Sequence, residues 1–448
     1  MPIHRFGSRA RSLAIGCLVV IVLASLAEPA AARADGRDTA AGHQVHSSQR
    51  RADHVHATDV ILQWNSIAMR TIATEGMTPI PASPLYVSFT SVAMYDAVVA
   101  IRGGYEPYAL TTRPKGARHA SVEAAVATAA YTVLSNYFPE SADNLDPDYA
   151  ASLAQVRDGR AKERGVAVGQ AAARAIIDLR VGDGRGASVT LNPPLEPGVW
   201  RPTPPAMLPM AVPWLGFVRP MVLTSPTQIR LPGPDALTSA KYTRDFREVK
   251  ATGSIDSTVR TPEQTQTALF WNDNSVAQYQ TAMRSLAAER RFDAVRSARM
   301  FALVNTAAAD ALIGCWRAKY DDAFWRPITA IPLAGTDGNP STRPDAEWLP
   351  LVTTPPYPEY TSGHACITGS VTRGLSIVLG SPSIDLDVSS AVTGTSRHYD
   401  TASELNRETM NARIWLGIHF RTAMTDGNRL GRRTAAYVAH HEFQRSRR

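Results

Sequence analysis

Helical periodicity governs this chain. Across alanine-dense stretches the apolar residues recur three and four apart, and the two-residue alternation of a half-buried strand is nearly absent. Residues 59–74, 87–102 (VSFTSVAMYDAVVAIR), 120–137 and 148–180 carry the pattern in the first half, and 262–289, 292–320, 364–379, 403–419 and 422–443 in the second. An all-α fold is therefore expected. Between residues 183 and 234 the pattern breaks at Pro193, Pro194, Pro197, Pro202, Pro204 and Pro205. Proline removes an amide donor and fixes φ, so this stretch is not a regular helix. It reads as an ordered crossover or lid joining two helical bundles.

The expected organisation follows from these boundaries. Residues 1–34 resemble an export signal: Arg5, Arg9 and Arg11 precede an apolar run from Leu13 to Ala27, then the small residues around Ala30–Ala34. Cleavage is expected near Ala32 or Ala34, giving a secreted or extracytoplasmic protein. Residues 35–57 are polar and hold His43, His46, His54 and His56, so a disordered tail is expected there. A helical region at 58–182, the Pro-rich crossover at 183–261 and a second bundle at 262–448 complete the scheme. No segment after the signal approaches the roughly 18 uninterrupted apolar residues of a membrane span, and no stable span is expected.

With 448 residues, 44% of them hydrophobic, the chain can bury a large core. Its formal net charge of +7 rests mostly on arginine, since lysine occurs only at 115, 162, 241, 250 and 319. No basic run with interleaved aromatics appears, which argues against a nucleic-acid partner and for attraction of small anions. Past the signal, Cys315 and Cys366 remain. They either pair in an oxidising compartment or serve as two small buried hydrophobes, the second being the commoner use.

Three stretches in the second half supply groups suited to one tetrahedral oxyanion. KYDDAFWRP holds Lys319, Arg326 and Pro327; PEYTSGH holds Ser362, Gly363 and His364; RIWLGIH holds Arg413 and His419. Three cations give charge, the hydroxyl and the amides near Gly363 give donors, and two imidazoles give a nucleophile or ligand and an acid–base group. Ala308, Leu312, Cys315 and Lys319 fall on one helix face, so Lys319 prolongs an apolar stripe. Such a lysine either snorkels outward or is held inside by an anion. Ser362 and Gly363 precede a helical stretch, whose first amides lack intrahelical partners and favour an anion.

A Lys, then Arg-Pro seven residues on, then Ser-Gly-His, then Arg with His six residues beyond, resembles the signature shared by the vanadium-dependent haloperoxidases and the PAP2-type acid phosphatases. Phe270-Trp271-Asn272-Asp273 resembles an upstream haloperoxidase segment, and Ala93-Met94-Tyr95-Asp96-Ala97 resembles the N-terminal half of exported bacterial members. The resemblance covers residues 57–443. It implies two helical bundles with the catalytic one in the C-terminal half, and it assigns roles. His419 corresponds to the axial vanadium ligand. Lys319, Arg326, Arg413, Ser362 and the Gly363 amide correspond to the oxide-holding groups, and His364 to the acid–base residue. Asp273 corresponds to a brace for the arginines, while Trp316 and Tyr357 stand where the halide pocket is lined.

The implied activity is oxidation of halide by hydrogen peroxide at a His-bound vanadate, with a small organic acceptor; homo-oligomers are compatible with it. The alternative is a phosphatase with a phosphohistidine intermediate, since phosphate can occupy the same site. A further alternative is an inert oxyanion-binding protein, against which the intact His364 and His419 argue. Two departures from the phosphatase pattern stand out: Asn411-Ala412 before Arg413, and Ala423 where an Asp would orient the imidazole. Thr422 or a backbone carbonyl is expected to take that orienting role, which weakens the phosphohistidine reading more than the vanadate one. Among other polar clusters, Ser396-Arg397-His398 is expected in a loop, Asp321 and Asp322 in surface pairs, and His440-His441 at a helix end.

Overall fold

The computed structural model describes residues 44–446. The expected signal and the first part of the expected tail lie outside these residues. Helix α1 runs Gln44–Met69, so the chain is already helical over much of the segment expected to be a tail, and it ends in a π-helical turn at Arg70–Glu75. There follow α2 (Ser83–Arg102), α3 (Val122–Tyr137), α4 (Ala142–Ala154) and α5 (Arg160–Leu179). The expected helix over 148–180 is thus two helices. They part before Gly159, whose φ of 137° no other residue type adopts easily.

After the proline-rich stretch, α6 (Ala240–Thr252) lies within the segment assigned to the crossover, followed by α7 (Pro262–Phe270) and α8 (Ser275–Glu289). The break between α7 and α8 is a capping event: the Asn274 side chain accepts from the amides of Val276 and Ala277, which starts a new helix. Then come α9 (Ala294–Asp322), the short α10 (Pro327–Ala330) and α11 (Gly363–Leu379). An antiparallel hairpin of β1 (Ser383–Ser390) and β2 (Thr395–Thr401) precedes α12 (Ala402–Trp415) and α13 (Arg421–His441). The hairpin is the one strand element among the described residues of an otherwise all-α fold. It places Ser396, Arg397 and His398 on β2 rather than in a loop.

The core is built on α9, which packs against α2, α11 and α13. Helices α2 and α9 are long and apolar enough to cross a membrane, yet 94% of each apolar window is buried inside the protein. They are core helices, and their apolar character goes into packing. Helices α11 and α13 approach closely because glycine faces glycine's neighbours: a Cβ on Gly369 would strike the Asn428 carbonyl, and one on Gly431 the Cys366 carbonyl. Where the two helices meet, the amide of Ser362, just before α11, donates to the carbonyl of Ala423 in the first turn of α13, at 3.2 Å.

The proline-rich stretch is held in place by buried carboxylates. Asp310, in the middle of α9, accepts from the amides of Met221, Val222 and Leu223, at 2.5 to 2.9 Å. Burial raises its pKa to about 6 against the pull of those three amides. Further along, the amide of Ala211 donates to Pro356 O and Trp316 Nε1 donates to Ala211 O. The crossover therefore lies against the loop that leads into α11.

Candidate active site

Each of the three sequence stretches ends at a helix terminus. Lys319 is in the last turn of α9, Arg326 immediately precedes α10, Ser362 is the N-cap of α11 and accepts from the Ala365 amide, and Arg413 is in the last turn of α12. His419 sits in the short connection from α12 to α13. That connection turns at Gly417, φ 78°, where a Cβ would collide with the Gly253 carbonyl and with Pro350.

Lys319, Arg326, Ser362, Arg413 and His419 are all buried, none more than 3% exposed. The loop 357–359 joins three of them. Lys319 Nζ donates to Pro358 O at 2.7 Å and Glu359 O at 3.2 Å, and Arg326 Nε donates to Tyr357 O at 2.9 Å. Arg326 Nη1 donates to Ile418 O at 2.6 Å and lies 3.2 Å from His419 Nε2. Arg413 Nη1 donates to Trp271 O at 2.7 Å. A cavity of about 330 Å³ lies beside this group, lined by His364, Gly363, Arg413, Trp316 and Tyr357 among others; Arg413 is the one of the five buried residues among its lining. A Cβ on Gly363 would lie 3.2 Å from the Trp316 ring, so glycine keeps this wall open.

The electrostatics are those of an unneutralised cationic pocket. Among the described residues no carboxylate forms an ion pair with Lys319, Arg326 or Arg413. Burial pulls the Lys319 pKa down to about 8 and that of Arg413 to about 10. Burial, followed by Arg326, Lys319 and Arg413, holds His419 well below its usual range; burial and then Arg413 do the same to His364. Both imidazoles are neutral. Two buried guanidinium nitrogens, Arg326 Nη2 and Arg413 Nε, have no hydrogen-bond partner among the described residues. Unsatisfied buried donors on cations are costly, and an anion between them removes that cost.

Glu359, which sequence reasoning passed over, completes the centre. It is 1% exposed, and its Oε1 accepts from the Phe420 amide at 2.9 Å and meets His419 Nδ1 at 2.9 Å. An oxygen that already accepts an amide accepts Nδ1–H as well, which leaves the Nε2 lone pair facing the Arg326 Nη1 donor. Thr422 does not orient the imidazole; its hydroxyl and amide are engaged by Asp235 and Asp245. Asp426 instead accepts from Tyr360 and pairs with Arg429.

The second helical-bundle domain of vanadium chloroperoxidase, as a family model, matches residues 299–447. The vanadium chloroperoxidase of Curvularia inaequalis is 28% identical over 41% of this chain, and the match spans 40% of that protein's length. The last third of the chain is thus similar to that helical-bundle domain. Among solved structures, a bacterial vanadium-dependent iodoperoxidase superposes with a TM-score of 0.73 at 23% identity, over 88% of this chain and 98% of that one. Apo and holo forms of a bacterial vanadium-dependent chloroperoxidase each give 0.66 at 16% identity, over 81% of this chain and 92% and 91% of theirs. These likenesses extend the haloperoxidase fold over the N-terminal helices as well as the matched domain.

The remaining expected residues fall as follows. The Asp273 carboxylate accepts from the amides of Asn274 and Ala391 and braces no arginine; the Trp271 carbonyl holds Arg413 instead. Asp273 reaches the site through its backbone, its carbonyl lying 3.4 Å from His364 Nε2. Trp316 and Tyr357 meet with ring centroids 5.0 Å apart, and Lys319 Nζ lies 5.5 and 5.0 Å from them. Cys315 and Cys366 are free and buried, both against the Thr361 hydroxyl. Asp321 pairs with Arg317, and His398 sits among Asp385, Asp387 and Asp400 on the exposed hairpin.

Proposed function

We propose that this protein is a vanadium-dependent haloperoxidase that oxidises halide with hydrogen peroxide, and that vanadate is bound through His419 Nε2. The reading rests foremost on the two partnerless guanidinium nitrogens, Arg326 Nη2 and Arg413 Nε, beside a neutral imidazole. A tetra-oxo anion would fit that donor set. Lys319, Arg326, Arg413, the Ser362 hydroxyl and the Gly363 amide would hold its oxygens, and His419 its metal. When bound, vanadate supplies a Lewis-acid centre that activates hydrogen peroxide towards halide without changing oxidation state.

The chain's own groups do the rest. Neutral His364, on the cavity wall, accepts a proton from incoming peroxide and returns one to departing water. Lys319 and the arginines would stabilise negative charge on the oxygens of the bound anion, and they need no reorganisation to do so because carbonyls already fix them. Trp316 and Tyr357 exclude water on the halide side. Export through the 1–34 segment would place this chemistry outside the cytoplasm, and residues 262–448 would carry the whole site with 58–182 as its buttress.

Glu359 bears on the phosphatase alternative. The chain lacks Asp at position 423, but a carboxylate still holds His419 Nδ1, so the absent Asp no longer weighs against a phosphohistidine. The activities of the relatives then tip the balance towards halide oxidation. Purified protein given vanadate, peroxide and bromide should brominate a phenolic dye. Phosphomonoesterase turnover that vanadate abolishes, with no bromination, would sink the proposal, and tight anion binding without either reaction would point to an inert binder.

A further inference from the structure

A second concave surface lies away from the catalytic residues, where the C-terminal part of α11 meets α12 and α13. It consists of two adjoining depressions of about 760 and 630 Å³, which share Arg373, Met410, Asn428 and Arg432. Each alone is as large as a pocket for a drug-sized molecule, so the joined groove suits an extended ligand. Arg373 stands nine residues along α11 from His364, roughly 14 Å at 1.5 Å per residue. The catalytic residues line neither depression.

Charge on this surface is one-sided. Arg373, Arg407, Arg429, Arg432 and Arg433 line it, all exposed, with no Asp or Glu among the described lining residues. Arg429 pairs with Asp426 at 3.1 Å; among the described residues the other four arginines have neither an ion pair nor a side-chain hydrogen bond. Arg429, Arg432 and Arg433 stand three and four apart on α13, a spacing at which like charges weaken a helix. Their concentration opposes folding, and an anionic partner removes that penalty.

The floor adds a second requirement. Thr372, Asn406 and Asn428 are 1%, 8% and 7% exposed. Asn406 Nδ2 donates to Ala402 O at 2.6 Å, and Asn428 Nδ2 donates to Asn406 Oδ1, which fixes both amides. Asn428 lines both depressions, and its Oδ1 accepts no hydrogen bond among the described residues. An open acceptor on a fixed, buried side chain calls for a ligand that brings hydroxyl hydrogens as well as negative charge.

Among the described residues no Phe, Tyr, Trp or His lines the groove, so a nucleic-acid base finds no stacking platform. None of the large apolar side chains exposed elsewhere lies there, as a membrane-inserting surface would need. We propose that the groove binds an acidic polysaccharide, its carboxylates paired with the arginines and its hydroxyls donating to Asn428. Binding there holds the protein on a polymer and leaves the catalytic cavity open. The proposal is independent of the haloperoxidase reading, since the two sites share no residue.

The test follows fluorescently labelled oligogalacturonate by anisotropy across a salt series. Binding should saturate and weaken as salt rises. Arg373→Gln combined with Arg432→Gln should lower affinity about tenfold, since both residues serve both depressions, and should leave the urea midpoint unchanged or raised. Arg118→Gln combined with Arg244→Gln removes the same charge from exposed positions outside the groove and should stay within about twofold of wild type. O-acetylated oligogalacturonate, with its carboxylates intact and its hydroxyls blocked, should bind more weakly than the parent. Absence of saturable binding, or an equal loss in both double variants, overturns the site and leaves the haloperoxidase reading standing. Acetylated and parent oligomers binding equally overturns the assignment to a polysaccharide.

Discussion

Replacing Glu359 tests the centre where its parts are most interdependent. Glu359→Ala leaves two buried donors, Nδ1–H of His419 and the Phe420 amide, without the oxygen each reaches at 2.9 Å. Each orphaned donor costs about 1–3 kcal/mol, partly offset because a buried carboxyl, pushed up to about 8 by desolvation, is also removed. The larger consequence is for the imidazole. Without an acceptor at Nδ1, His419 is free to carry its proton on Nε2, where it cannot ligate. Loss of such a supporting partner typically lowers metal affinity about 10–100-fold, or about 1.4–2.7 kcal/mol. Glu359→Gln keeps an acceptor oxygen, and should stay within about threefold of wild type by the same reasoning. Equilibrium dialysis of vanadate gives the affinities, and nitrogen NMR of the vanadate-free protein gives the tautomer. A folded Glu359→Ala that binds vanadate as tightly as wild type, or a wild-type His419 protonated at Nε2, would refute the argument.

Four further outcomes are expected. Lys319, its pKa lowered to about 8 by burial, is charged below that pH and neutral above it. Anion affinity should therefore fall as pH rises past about 8, and Lys319→Met should bind more weakly below that pH, lack the step and approach wild type above it. His364→Ala should spare vanadate binding and cut bromination by about 10²–10⁴-fold; normal turnover would remove it from proton transfer. Gly363→Ala pushes a methyl to 3.2 Å from the Trp316 ring and should cost about 1–3 kcal/mol in urea unfolding. Asp310→Ala orphans the amides of Met221, Val222 and Leu223 and should cost about 3 kcal/mol or more; an unchanged midpoint would contradict its role in fixing the crossover.

The helices were legible because apolar periodicity over long windows reports burial directly. What went unread was local. SIDLDVSS buries Ile384, Leu386, Val388 and Ser390 in strict alternation, but eight residues between helices offer a short window in which to see it. The break at Asn274 depends on a side chain capping two amides inside a stretch of helical composition. Asp273 was assigned to brace the arginines from the resemblance of Phe270–Asp273 to a haloperoxidase segment, whereas its oxygens go to amides at Asn274 and Ala391.

The seven signature residues and Glu359 differ in legibility for a physical reason. Lys319 stands out because it interrupts an apolar stripe, and Ser362 with Gly363 stands out because it opens a helix. Glu359 lies in a proline-rich loop where a polar residue needs no explanation, and its partner is 60 positions away. That loop also explains how three cations stay charged and buried without being neutralised. A stretch such as PPYPEY cannot form a helix, so its carbonyls remain free to accept. Those of Tyr357, Pro358 and Glu359 hold Arg326 and Lys319, and those of Ile418 and Trp271 hold Arg326 and Arg413. Neutral acceptors fix the geometry of the cations and cancel none of their charge. Carboxylates in the same places would fix it equally well and leave nothing for an oxyanion to bind.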